Sequence, residues 1–79
     1  MTLDNLANHK RARIVAVDWT VLAPDEGKRL QALGVDSGAE IEVMHRGVFG
    51  TRDPLALRIG SMTVALRRMH ALAISVEPA

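Results

Sequence analysis

The run Leu33-Gly34-Val35, inside the longer stretch R-L-Q-A-L-G-V-D-S-G-A-E-I-E-V of residues 29–43, restricts the fold of this chain more than any other feature. Leu30 and Leu33 lie three apart and share one helical face. Gly34 follows at once and can take the left-handed conformation that closes a helix. With Gly34 in that position, Val35 falls back on Leu30, the apolar contact of a Schellman stop. Asp36-Ser37-Gly38 then supplies a turn, because Asp and Ser side chains bond nearby backbone and Gly tolerates positive φ. From Glu40 the period changes to two, with Ile41 and Val43 on one face and Glu40 and Glu42 on the other. The stretch predicts a helix pinned against the mouth of a sheet.

A chain of 79 residues makes a single domain over residues 1–79, with residues 1–10 as a loosely ordered N-terminal segment. Leu3 and Leu6, at helical spacing, predict one loose turn there that packs on the sheet. Nothing approaches the run of about 18 apolar residues that spans a bilayer. Residues 1–10 are polar and lack the apolar core of a secretory signal. The absence of cysteine excludes disulfides, thiolate metal sites and thiol catalysis, and fits a reducing cytoplasm. Net charge is +1 with acids and bases interspersed, so no strong field draws nucleic acid.

Residues 11–19, R-A-R-I-V-A-V-D-W, are rich in β-branched side chains and read as strand one. Both faces are largely apolar, which places this strand centrally or covered on both sides. Pro24 suits the first turn of a helix, and Asp25 and Glu26 favour the positive end of its dipole. That helix runs to Leu33, with Gly27 as a weak point. Strand two covers residues 40–46, and the glycines and proline of residues 47–54 predict a long hairpin loop. Strand three covers residues 55–59, strand four residues 62–66 and strand five residues 72–76, each with period-two alternation. Gly60-Ser61 predicts a two-residue hairpin turn of the II′ kind. Residues 67–71 break the alternation and predict a 3₁₀ turn. The expected core is Ile14, Ala16, Leu30, Leu33, Ile41, Val43, Leu57, Ile59, Val64, Leu66, Ile74 and Val76. Five short strands, one short helix between strands one and two, and a 3₁₀ turn before the last strand describe a mainly β, strongly bent, SH3-like barrel. A barrel this small has little room for an internal catalytic pocket.

The ordered series of motifs resembles the ferrous-iron transport protein A (FeoA) family. It comprises Arg13-Ile14-Val15, Arg29-Leu30, Leu33-Gly34-Val35 and residues 38–43, then Asp53-Pro54, Leu57-Arg58-Ile59-Gly60, Ala65-Leu66-Arg67, Ala71 and Ile74. The resemblance covers roughly residues 3–77. The barrel is also similar to the C-terminal domain of iron- and manganese-dependent repressors, but no helix-turn-helix segment precedes it here. Asn8-His9-Lys10 replaces the family's usual turn before strand one, and residues 18–24 form a longer link than the family's. The resemblance implies a cytoplasmic, non-catalytic adaptor of bacterial ferrous iron uptake, recruited to the inner face of the membrane. Its implied partner is a membrane iron transporter with its own G-protein domain, FeoB-like. It also implies transition metal ion association, with ferrous iron by family only and no cofactor in the chain itself.

The residues themselves fit a binding role. Phe49, the single phenylalanine, sits with Val48 between Gly47 and Gly50 in the predicted loop. It is either an anchor for a partner or a lid folded back on an open barrel end. Trp19 either seals the barrel under the helix or forms a docking patch with Leu22. Arg67 and Arg68 could meet carboxylates or phosphates of a partner, or Arg67 holds local carbonyls or an acid and Arg68 is solvated. Arg29 could pair with Glu40 or Glu42 of strand two. His9, His45 and His70 lack the paired spacing of metal ligands, so no metal site is read from them. No nucleophile-base pair, phosphate loop or close carboxylate pair indicates an enzyme.

Two other functions have some support. Residues 38–43 followed by Gly47-Val48-Phe49-Gly50 are similar to the KOW motif of RNA-binding barrels, against which stand the near-zero net charge and the lack of Tyr for stacking. Self-association through strand edges is the third reading.

Overall fold

The computed structural model describes residues 1–46 and 54–79. Helix α1 spans Pro24–Ala32, with Pro at its start and Asp25 and Glu26 in the first turn. Its stop follows the expected geometry. Gly34 has φ of +98°, its N–H donates to the Gln31 carbonyl at 3.0 Å, and the Val35 N–H donates to the Leu30 carbonyl at 2.9 Å. These are the two bonds of a Schellman motif, and they satisfy carbonyls that the helix end would otherwise leave unpaired. Leu30 and Val35 are both fully buried, so the apolar contact is part of the core. A Cβ on Gly34 would meet only Ile59 Cγ2 at 3.5 Å, an ordinary contact. The left-handed backbone, not space, demands glycine there.

The turn after the helix stitches it to the sheet. Ala39 N–H donates to the Asp36 carbonyl at 3.1 Å, Gly38 N–H to the Ile14 carbonyl at 2.7 Å, and Ile14 N–H to the Ala39 carbonyl at 2.9 Å. The strands are β1 (Arg11–Val17), β2 (Glu40–Arg46), β3 (Leu55–Ile59), β4 (Met62–Leu66) and β5 (Ile74–Pro78). They form one sheet in the order β4-β3-β2-β1-β5, and each neighbouring pair is antiparallel. Gly60, at φ +60°, opens the tight β3–β4 turn, in which Ile59 faces Met62.

Strand β1 is central as expected, yet it is covered on one side only: Val15 is 45% exposed and Ala16 lies on the surface. Val15 continues the outward face of Arg11 and Arg13, and the exposure of Ala16 comes from a bulge. Ile14 pairs with Val76 and Ala16 with Ser75, so Val15 is an extra residue in β1. One extra residue inverts the alternation beyond it, which turns Ala16 out. A second shift, between Val43 and His45 of β2, bends the sheet again against β3. The sheet curls in the SH3-like manner without β4 and β5 meeting. The outer edge of β5 is taken by the N-terminus instead. Thr2 bridges Ser75, the Val76 N–H donates to the Met1 carbonyl at 2.8 Å, and the terminal ammonium donates to the Val76 carbonyl at 3.3 Å.

Two local differences follow. The expected 3₁₀ turn is one turn of α-helix, α2 (Arg68–Ala71), because Ala71 and Leu72 N–H donate to the carbonyls of Arg67 and Arg68, four residues back. That rotation leaves Leu72 52% exposed and delays β5 to Ile74. The segment Leu3–Asn5 forms a 3₁₀ turn whose Leu3 enters the core along with Leu6, burial that the expected core omitted.

Gly34→Ala is expected to lower stability by about 1–2 kcal/mol, the usual cost of a left-handed L-residue. The measurement is a urea titration, with a lower midpoint and an unchanged slope.

Candidate functional site

Two surface features lie on either side of α2, and neither is needed to complete the core. The first is an apolar groove of about 590 Å³ between the end of β1 and the α2–β5 connection, lined by Val17, Val21, Met69 and Leu72 with Asp18 at its rim. Val21 is 62% exposed and Met69 65%. The 3₁₀ turn Trp19–Val21 holds this wall, and it is fixed by Asp18, whose carboxylate accepts from the Thr20 N–H at 3.1 Å and the Thr20 hydroxyl at 2.5 Å. Such a cap satisfies the donors of the turn locally.

Trp19 and Leu22 are not brought together as a surface patch. Trp19 is half-buried, packs on the core cluster, and lays its ring over Gly27 of α1, where a Cβ would stand 3.5 Å from Cε3. Leu22 is 7% exposed and belongs to the core, so the apolar side chain this turn exposes most is Val21. Val48 and Phe49 lie outside the described residues.

The second feature is a polar cleft of about 360 Å³ where α1 and α2 meet the end of β4, lined by Glu26, Arg29, Ala65, Arg67 and His70 among others. Arg29 does not reach strand two. Its Nε and Nη2 donate to Glu26 Oε1 at 3.1 and 2.5 Å, because Glu26 sits three residues back on the same helix. Of the acids of β2, Glu42 lies 3.8 Å from Arg11. The Arg29 hydrogen bond holds the Glu26 carboxyl below the usual carboxylate range, against the opposing effect of burial and with smaller attraction from the Arg29 and His70 charges. The same bond raises Arg29. His70 Nδ1 is buried without a hydrogen-bond partner among the described residues and lies 3.7 Å from Glu26 Oε1, an ion pair only when the imidazole is protonated. Arg67 is exposed at the cleft mouth and has no ion-pair partner among the described residues. Arg68 is exposed on α2 and is not part of the cleft lining.

Among the described residues no group of three or more His, Cys, Asp or Glu could hold a metal ion. Glu26 and His70 supply two donors without a third, and His9 is exposed on the segment before β1. No described helix is long and apolar enough to cross a membrane.

The chain matches the FeoA domain family model over residues 1–78. No curated protein matches it. It is similar to the solution structure of the FeoA protein of Chlorobium tepidum, with 29% identity and a TM-score of 0.84, over 99% of this chain and 70% of that one. It is also similar to the crystal structure of Stenotrophomonas maltophilia FeoA complexed with zinc, described as a procaryotic SH3 domain protein and a candidate ferrous iron transport activating factor. That likeness has 30% identity and a TM-score of 0.78, over 98% of this chain and 89% of that one. The T. acidophilum repressor IdeR shares the fold at 19% identity and a TM-score of 0.79, over 100% of this chain and 34% of that one.

Glu26→Gln is expected to lower stability at neutral pH by no more than about 1 kcal/mol for a partly exposed pair, seen as a slightly lower melting temperature. The Glu26 carboxyl is depressed on folding, so its contribution is present above the unfolded value near 4 and fades as pH falls through the lower folded value. The melting curves of the two proteins should therefore converge in acid.

Proposed function

The chain belongs to the FeoA domain family of small non-catalytic accessory domains of iron transport, and on that premise we propose that it is an adaptor of ferrous iron uptake. It binds the cytosolic part of a membrane ferrous-iron transporter that carries its own G-protein domain (FeoB-like), and it acts in the cytoplasm at the inner face of the membrane. Iron is the transporter's cargo in this reading, not a ligand held by this chain.

The observation that carries the reading is the apolar groove. Val21, Met69 and Leu72 are each more than half exposed around it, and apolar side chains gathered on one face of a small domain mark a contact surface. Trp19, behind the groove wall, and Arg67 and Arg68, beside and on α2, are candidate contributors. So are Val48 and Phe49, which lie outside the described residues. Among the described arginines, Arg11, Arg13 and Arg29 sit beside Glu42, Glu77 and Glu26. This pairing favours a protein partner over RNA, which needs unneutralised cations.

The test is a pull-down with the transporter's cytosolic part. Met69→Asp and Leu72→Asp are expected to weaken binding at least about tenfold while leaving the melting temperature unchanged, as for charged residues placed in a contact core. Trp19→Ala should lower the melting temperature, since it removes the ring packed on Gly27. No binding by the wild-type chain would remove the adaptor reading.

A further inference from the structure

The polar cleft adjoins a second unused feature, the outer edge of β4. Strand β4 ends the sheet order. Its partner β3 joins it through the two-residue turn Gly60-Ser61, so Ile59 and Met62 form the narrow hydrogen-bonded pair. The alternation then directs the backbone groups of Met62, Val64 and Leu66 toward β3 and those of Thr63 and Ala65 outward. Thr63 and Ala65 are exposed, and their outward groups have no backbone partner among the described residues. The opposite edge of the sheet differs, since Met1 and Thr2 already occupy the outside of β5.

Ala65 belongs to both features. It presents an outward N–H and C=O, and it also lines the cleft with Arg67, Arg29 and His70. An extended segment that pairs with Thr63 and Ala65 therefore runs directly to two guanidinium groups and a buried imidazole nitrogen, unpartnered among the described residues. One of those guanidinium groups, Arg29, is engaged by Glu26. Arg67 has no ion-pair partner among the described residues, so Glu26, Arg29 and Arg67 leave the described lining with an excess of one guanidinium over carboxylate. We infer that the β4 edge takes an extended peptide of a partner protein by strand addition, and that the cleft holds an acidic side chain of that peptide. Main-chain pairing supplies affinity in this mode, and the charged cleft fixes register. The inference rests on the reading of the chain as a binding module, and names the kind of segment it binds.

The test is selection of a phage-displayed library of random seven-residue peptides on the isolated full chain. The expected result is a family of sequences with alternating β-branched residues and an Asp or Glu fixed at one end. Bound peptide should shift the Thr63 and Ala65 amide resonances and slow their hydrogen exchange. Arg67→Ala should weaken binding about tenfold and abolish the preference for the acid over its amide. Ala65→Pro removes the outward donor alone, a substitution edge strands tolerate, so the protein should still fold and no longer bind. Selection without a fixed acid, binding that survives Ala65→Pro in a folded protein, or a dimer that occupies the β4 edge would each overturn the inference. Peptide binding at β4 with no transporter pull-down would instead remove the adaptor reading alone.

Discussion

Two backbone hydrogen bonds, from Gly34 and Val35 to the last turn of α1, set the geometry on which the rest of the molecule depends. They stop the helix within one residue and send Leu30 and Val35 into the core together. The chain then has no slack before Gly38 and Ala39, which bond both backbone groups of Ile14. Helix end, turn and central strand are thus one connected hydrogen-bond system. Ile14 is also the last residue of β1 before its bulge against β5. The helix stop therefore bears on the point where the central strand changes which side chains it shows to solvent.

What could be read from residue order was whatever a local signal encodes. The alternation of residues 40–46, 55–59 and 62–66, and the glycine turn at residue 60, mark β2, β3 and β4 with their observed bounds. The bulge at Val15 left no such mark. A single inserted residue in a run of small and β-branched side chains changes neither composition nor propensity. It exists only as a mismatch with β5, far away in the chain. Ala16 was expected inside for that reason and lies outside. Leu3 and Leu6 were underestimated for a related reason, since their burial depends on an N-terminal segment reaching β5. The α2 turn differs from a 3₁₀ turn by one residue of hydrogen-bond span, which the bonds of Ala71 and Leu72 set and which broken alternation alone does not encode.

The candidate site was legible in part. Arg67 was identified as a cation able to meet carboxylates, and the structure places it on a cleft. His70 was set aside because it has no histidine neighbour at ligand spacing. Its actual neighbour, Glu26, comes from another helix, and such proximity leaves no trace in local spacing. Gly27 was read as a weak point of its helix, and the structure adds that the Trp19 ring lies beside it at a distance a Cβ would meet as an ordinary contact. The helix-propensity cost of glycine, about 1 kcal/mol against alanine, therefore stands without an offset from the packing of Trp19. Choosing Val21 over Leu22 as the exposed residue needed the phase of a three-residue turn, which only the structure supplies.

The two ends of the sheet are treated differently, and the difference has a physical meaning. An unpaired edge invites association, so small β domains cover, shorten or charge it. Here the β5 edge is covered by the first two residues of the chain itself, through backbone bonds to Val76 and a bridge to Ser75. The β4 edge is limited instead by length: five residues, with Thr63 and Ala65 turned outward. A strand of that size offers too few bonds for stable indiscriminate pairing, so a partner needs a further contact to stay. The cleft beside Ala65, with Arg67 unpaired among the described residues, supplies one that depends on charge. Shortness on its own would only discourage association. Shortness beside a charged cleft makes association conditional on the right side chain, which is what selectivity requires.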